Sequence, residues 1–196
     1  MDHPPAARPL RADAKRNREQ LLGEARTAFI ERGIDAPLEE IAARAGVGVG
    51  TLYRHFPTRE ALLETLLRDR FDALADAASD LRPDPDPGSA LTEWTLRFID
   101  TTTVYRGLIG ALTATLHDPA SALHTSCERM RAAGADLLDR ARDAGRVRAD
   151  LGPDEFLGLV AGVAWAGEQM RRTGPEDRRR LLALLFEGLG ETTRSR

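Results

Sequence analysis

The chain has 196 residues, of which 28 are Lys or Arg and 31 are Asp or Glu, so its formal net charge is −3. This length allows one compact domain or a small domain fused to a larger one, and the acidic balance argues against capture of nucleic acid by overall charge, so any DNA site has to be a local patch. No apolar run approaches the roughly 18 residues of a membrane span, the N-terminal stretch does not resemble a secretory signal, and the single cysteine cannot form an intrachain disulfide, which together predict a cytoplasmic protein without membrane contact.

The chain is expected to begin with an arm and one helix. Residues 1–12 contain proline and arginine and are predicted to be disordered. Asp13 can cap a helix whose apolar residues recur at helical spacing. This helix is expected to end at Gly33, because glycine readily adopts the left-handed conformation that closes a helix.

Two short helices and a long one are predicted next. Pro37 suits the first turn of the second helix, which Gly46 stops. A third helix over about 49–55 ends before Pro57, because the residue that precedes a proline is restricted away from helical geometry. Thr58 then caps a long fourth helix that carries leucines at helical spacing.

The clearest break in the chain is the proline-rich stretch 82–88, which cannot be helical. Beyond it, apolar periodicity predicts only helices, and no alternating run indicates a strand. Short early helices followed by long amphipathic ones predict a small N-terminal domain joined to a larger helical C-terminal domain. The later helices are expected near residues 89–101, 103–117, 120–145, 153–173 and 175–193.

The segment 38–62 has the pattern of a helix-turn-helix, in which a tight turn containing glycine joins two short helices. Apolar and small residues give the first helix a buried face, and Gly46 supplies the left-handed turn residue. Leu52 and Phe56 are expected to anchor the second helix to the core. The residues that are left to point elsewhere are Gly48, Gly50, Thr51, Tyr53, Arg54 and His55.

This segment resembles the DNA-binding domain of the TetR family of bacterial repressors. The resemblance extends over residues 13–70 and rests on three features. These are the alanine–glycine–valine turn at 45–47, the glycine–threonine–leucine–tyrosine run at 50–53, and Phe56. Because turn, core and contact positions all coincide, the match is specific.

The resemblance implies an all-α protein in two parts. A three-helix helix-turn-helix domain would span residues 13–57, and an antiparallel helical ligand-binding and dimerisation domain would span residues 58–196. Two segments of the second part, 103–107 and 161–166, further resemble an actinobacterial-type subgroup of the family.

Carried over by position, the resemblance implies that Gly50 and Thr51 touch base edges or the adjoining backbone, while Tyr53 contacts phosphate. Many members carry serine or threonine where this chain has Pro37 and Gly48, so a hydroxyl contact to phosphate is missing at each. Specificity is therefore expected to depend on Thr51, on arginines and on DNA shape. The implied DNA-binding residues are Lys15, Arg16, Arg44, Gly48, Gly50, Thr51, Tyr53, Arg54, His55 and Arg59.

Some of these residues have a plainer interpretation. Tyr53 could pack in the core, but Leu52 and Phe56 already fill the buried face of the helix. Arg44 and Arg54 are equally consistent with a solvated surface. Their roles stay open at the level of sequence.

No motif in the chain indicates catalysis or a bound metal. The glycines at 46, 48 and 50 lack the spacing of a dinucleotide-binding loop, and no strand precedes them. His117, Asp118, His124 and Cys127 are close in sequence but match no recognised ligand spacing. A nucleophile elbow and a P-loop are absent from the sequence. We therefore expect no metal, no cofactor and no enzymatic activity.

Aromatic and soft side chains are more numerous in the C-terminal body than a minimal helical core requires, although each could simply be core. The family resemblance implies a cavity there. Such a cavity would favour an apolar or aromatic small molecule. The residues expected to line it are Trp94, Phe98, Leu112, Leu116, Met130 and Trp165.

The final helix is apolar over more than one face, so one protomer alone can hardly bury it. The plainer interpretation is an intramolecular core helix. The resemblance instead implies that the last two helices form a four-helix interface in a homodimer. The residues expected at this interface are Leu157, Val160, Ala161, Ala164, Leu181, Leu184 and Leu185.

The helix-turn-helix predicts a DNA-binding protein, and the family resemblance implies a ligand-responsive repressor that binds a near-palindromic operator as a dimer. An effector in the helical body would reposition the fourth helix and release the DNA. The alternative is a constitutive DNA-binding or ligand-sequestering protein that does not switch.

Overall fold

The computed structural model describes residues 7–103, 115, 117–169 and 175–189, and the regular structure in this part of the chain is entirely helical. The all-α prediction is thus confirmed. None of the described helices is long and apolar enough to span a membrane. The helices are α1 (Ala7–Arg32), α2 (Leu38–Arg44), α3 (Val49–His55), α4 (Arg59–Leu81), α5 (Pro87–Thr103), α6 (Ala122–Asp143), α7 (Pro153–Gln169) and α8 (Pro175–Leu189).

Helix α1 begins earlier than the sequence predicts. It starts at Ala7, inside the stretch 1–12 that is predicted to be a disordered arm. Pro9 falls in the first turn of the helix, where a missing backbone N–H costs no helical hydrogen bond. The predicted helix over 103–117 lies almost wholly outside the described residues.

The break between α4 and α5 lies in the proline-rich stretch, as predicted, but the prediction that all of 82–88 is non-helical is wrong for Pro87 and Gly88. Asp86 caps α5, because its carboxylate accepts hydrogen bonds from the Gly88 N–H at 3.1 Å and the Ser89 hydroxyl at 2.9 Å. The hydrogen bond from Ser89 lowers the pKa of Asp86 below its ordinary value. Pro87 follows as the first helical residue, where its fixed φ angle suits the helix.

The described residues divide into two compact units at Leu66 and Leu67, inside α4 rather than at its start. The first unit contains α1, α2, α3 and the beginning of α4. Helices α1, α2 and α3 pack against one another there. The largest side chains of its core, each 0–2% exposed, are Leu21, Phe29, Ile41, Leu52, Phe56, Leu62, Leu63 and Leu66.

The second unit is built around α5, which packs against α6 and α7. Its central residue is Trp94, which is 0% exposed and donates its indole N–H to the Leu74 carbonyl oxygen at 3.0 Å. The ring of Phe98 stacks on Trp94 with 5.8 Å between centroids. Gly134 of α6 leaves the space that the edge of the six-membered ring of the indole occupies. Three helices, α4, α5 and α6, therefore meet at one aromatic side chain.

Candidate nucleic-acid interface

The turn between α2 and α3 is closed by glycine, as the sequence predicts. Gly46 has φ +70°, in the left-handed region. Its N–H donates to the Ala43 carbonyl at 3.1 Å, and the Val47 N–H donates to the Ala42 carbonyl at 3.0 Å. These two bonds satisfy carbonyls at the end of α2 in the pattern of a Schellman motif. Gly48 is then extended, with φ −71° and ψ 148°, and α3 begins at the next residue.

Helix α3 has one buried side and one exposed side. Leu52 is 0% exposed and Phe56, just after the helix, is 2% exposed. The rest of its surface carries Val49, Gly50, Tyr53 and Arg54, all of which are exposed. Thr51 and His55 lie at the edge between the two sides and are half-buried. The exposed side is the surface that α3 can offer to a DNA groove, and we call it the α3 face.

Two glycines border or belong to the α3 face without a reason inside the protein. Gly48 and Gly50 have no positive φ angle, and an added Cβ would have no neighbour within 4 Å at either position. Neither backbone conformation nor packing therefore requires glycine there, in contrast to Gly46. A glycine in this situation permits the close approach of something outside the chain.

Two of the predicted DNA-binding arginines are held by other parts of the first unit. Arg44 forms ion pairs of 3.0 Å with both Glu24 and Glu31 of α1, and the hydrogen bond with Glu31 raises its pKa above the ordinary value. Arg59 donates 2.6 Å hydrogen bonds to the carbonyl oxygens of Ile34 and Ala36, in the loop between α1 and α2. Arg44 therefore links α2 to α1, and Arg59 links α4 to the loop between α1 and α2; their role in DNA binding stays a prediction.

Two further predicted basic residues lie on the surface of α1. Lys15 and Arg16 are largely exposed and pair with Glu19 and Asp13, each within about one helical turn. Such exposed pairs are weak, so a phosphate can displace them. Arg18, which is not among the predicted residues, places its guanidinium over the Phe56 ring, 5.4 Å from its centroid. Only the tertiary placement of α1 beside the end of α3 identifies that contact.

The residues predicted to line a cavity do not form one group. Trp94, Phe98 and Met130 are buried in the second unit. Trp165 is 65% exposed on α7 and lies outside this core. Leu112 and Leu116 lie outside the described residues.

The residues predicted for a dimer interface on α7 differ in burial. Leu157, Val160 and Ala164 are at most 8% exposed within one protomer, so they contribute to its own core. The side of α7 turned away from this core carries Gly158, Leu159, Gly162 and Trp165, all exposed, and we call it the outer face of α7. Of the other predicted residues, Ala161 and Leu184 are exposed, while Leu181 and Leu185 are half-buried.

The histidines and the cysteine of the body do not assemble into a metal site. Within the described part of the chain, no three His, Cys, Asp or Glu side chains are grouped so that they could hold an ion. Burial raises the pKa of the Cys127 thiol, which keeps it protonated and poorly nucleophilic near neutral pH.

A glycine-closed turn between two short helices, with one side of the second helix exposed, defines a helix-turn-helix DNA-binding protein. Residues 21–66 match the family described as bacterial regulatory proteins, tetR family. Residues 86–191 match the C-terminal domain described as transcriptional regulator SbtR-like. The chain belongs to the TetR family of transcriptional regulators.

Two similar proteins of known structure and one similar curated protein come from actinobacteria. A TetR transcriptional regulator of Streptomyces coelicolor, SCO0520, is 38% identical with a TM-score of 0.67, over 90% of this chain and 99% of that one. A TetR regulatory protein of Mycobacterium vanbaalenii is 33% identical with a TM-score of 0.63, over 93% and 99% of the two chains. The repressor KstR2 of Mycolicibacterium smegmatis is 43% identical over 58 residues, which are 29% of this chain and 28% of KstR2.

Proposed function

We propose that this regulator is a homodimeric repressor whose operator affinity falls when a small apolar or aromatic molecule binds the second unit. The observation that carries the proposal is the α3 face, on which Tyr53 is 43% exposed while the preceding residue, Leu52, is fully buried. Two such helices related by a two-fold axis would enter successive major grooves about 34–36 Å apart, on a near-palindromic operator.

Helix α4 supports the switching part of the proposal. It is one continuous helix that contributes residues to both compact units. An effector that favours one placement of α4 in the second unit can thereby bias the first. A coupling free energy of about 1–3 kcal/mol would lower operator affinity roughly 5–150-fold. A compound that binds the protein and leaves operator affinity unchanged would instead support a constitutive or sequestering role.

The first test is a gel shift of the full-length protein on the DNA upstream of its own gene. The Tyr53→Ala variant is expected to bind the operator about 30-fold more weakly. Each of the two subunits would lose one hydrogen bond to phosphate, and each such bond is worth roughly 1 kcal/mol. Tyr53→Phe should show a similar loss if the hydroxyl makes the contact. Ile30→Ala, at an exposed residue of α1, serves as the control. Equal binding by all four proteins would contradict the role of Tyr53.

We further propose that the outer face of α7 and the exposed part of α8 form the dimer interface. Trp165 is the largest exposed apolar side chain on α7, and tryptophan is enriched among residues that dominate binding at interfaces. An added Cβ at Gly158 or Gly162 would meet nothing within 4 Å, so another helix can approach closely there.

The Trp165→Glu variant is expected to sediment as a monomer at micromolar concentration, because dimerisation would bury an unpaired carboxylate. A helical circular dichroism spectrum and a cooperative thermal transition of the monomeric variant would establish that its fold is intact. Ile30→Glu places the same charge on an exposed apolar residue of α1 and should stay dimeric. Dimeric Trp165→Glu protein, or a monomeric wild type, would refute this interface.

A further inference from the structure

Val49 is an exposed apolar residue on the α3 face. It is the first residue of α3 and is 41% exposed, whereas Ile41, Leu52 and Phe56 of the same helix-turn-helix are at most 2% exposed. Tyr53 follows one helical turn later and is 43% exposed. Sequence analysis did not select Val49, although Leu52 and Phe56 already account for the buried side of α3.

The fold of the first unit gives no reason for valine at this position. A β-branched residue has a low helix propensity, and a valine that is 41% exposed gains less from burial than a core residue does. Gly48 and Gly50 flank it, and the space around both is open. Among the three consecutive residues 48–50, Val49 is therefore the only one with a side chain. It lies at the N-terminal end of α3, where the recognition helix of helix-turn-helix proteins contacts base edges.

The chemistry of valine restricts what it can recognise there. Its side chain has no hydrogen-bond donor or acceptor, so it cannot read the polar groups of a base edge. The apolar group that a base pair presents in the major groove is the C5-methyl of thymine. We infer that Val49 is a specificity-determining residue that packs on a thymine methyl in each half-site of the operator. This inference rests on the DNA-binding role proposed above and adds the base that is read.

The test begins with selection of duplexes from a random DNA pool by the full-length wild type and by the Val49→Ala and Ile30→Ala variants. The wild type and Ile30→Ala should enrich the same consensus, with a thymine required at one position of each half-site. Val49→Ala should relax the requirement at that position alone. Thermal midpoints within a few degrees of the wild type would show that the variants are folded.

The second step replaces that thymine by deoxyuridine in the selected duplex, which removes only the methyl group. Wild-type affinity should fall about fourfold for each substituted half-site, the loss expected for one buried methyl group. Val49→Ala should bind the thymine and deoxyuridine duplexes equally. A deoxyuridine penalty of the same size in both proteins, or a consensus that Val49→Ala leaves unchanged, would overturn the assignment. Failure of the wild type to enrich any sequence would also refute the proposed function, so the two failures are distinguishable.

Discussion

Replacing Gly134 with alanine is expected to destabilise the protein by about 1–3 kcal/mol, the usual cost of overpacking a core. An added Cβ on α6 would lie 2.8 Å from Cζ2 and 2.9 Å from Cζ3 of Trp94. The indole cannot swing aside easily, because it is fully buried and its N–H is bonded to the Leu74 carbonyl. The loss should appear even though alanine favours a helix interior by about 1 kcal/mol over glycine.

Urea unfolding followed by tryptophan fluorescence measures this change as a lower midpoint at constant slope. Gly23→Ala is the matched control, since Gly23 is an exposed helical glycine with no atom within 4 Å of an added Cβ. That variant should be more stable than the wild type. In the Trp94→Phe background, Gly134→Ala should cost less stability than it does in the wild type, because the smaller phenyl ring leaves room for the added methyl group. Strict additivity of the two substitutions would show that they do not share this contact.

The same contact bears on the ligand site that the sequence suggests. Trp94 and Phe98 were expected to line a cavity, and both are held in close packing in the second unit. Composition alone cannot separate a core aromatic from a cavity-lining one, because both are apolar and both recur at helical spacing. Whether an aromatic side chain packs in the core depends on the residue that faces it from the neighbouring helix. For Trp94 that residue is Gly134 of α6.

The helices themselves could be predicted from the sequence because their signals are local. Apolar spacing, the Thr58 cap and the Gly46 turn each act within a few residues, and the structure shows the cap bond from the Ala61 N–H to Thr58 at 3.1 Å. The start of α1 was misjudged because a proline in a first turn and a proline in an arm look alike in sequence. In the structure Pro9 is the third residue of α1, so it belongs to the first turn of the helix.

The outer face of α7 could not be predicted because both sides of that helix are apolar or small. Leu157 and Val160 lie on one side and Leu159 and Trp165 on the other, so periodicity does not indicate which side the protomer buries. The packing of α5 on α7 determines which side of α7 is buried in the protomer. Long side chains present the same difficulty, because the partners of Arg44 are carboxylates on another helix.

Replacing Gly50 with alanine is expected to raise stability and weaken DNA binding together. Gly50 is helical, exposed and free of neighbours within 4 Å of an added Cβ. Alanine should therefore stabilise α3 by about 0.5–1 kcal/mol. On DNA, the methyl group would hold the α3 face away from the groove, and a steric cost of about 1–3 kcal/mol corresponds to roughly 5–150-fold weaker binding.

Opposite signs in the two measurements separate this effect from damage to the fold. Urea unfolding gives the stability, and a gel shift on the upstream DNA at fixed salt gives the affinity. Gly23→Ala, on α1, should gain stability in the same way and bind DNA as the wild type does. Gly50→Leu should bind more weakly than Gly50→Ala, because its side chain is larger. If Gly50→Ala binds as tightly as the wild type, the open space above Gly50 is not where the DNA lies.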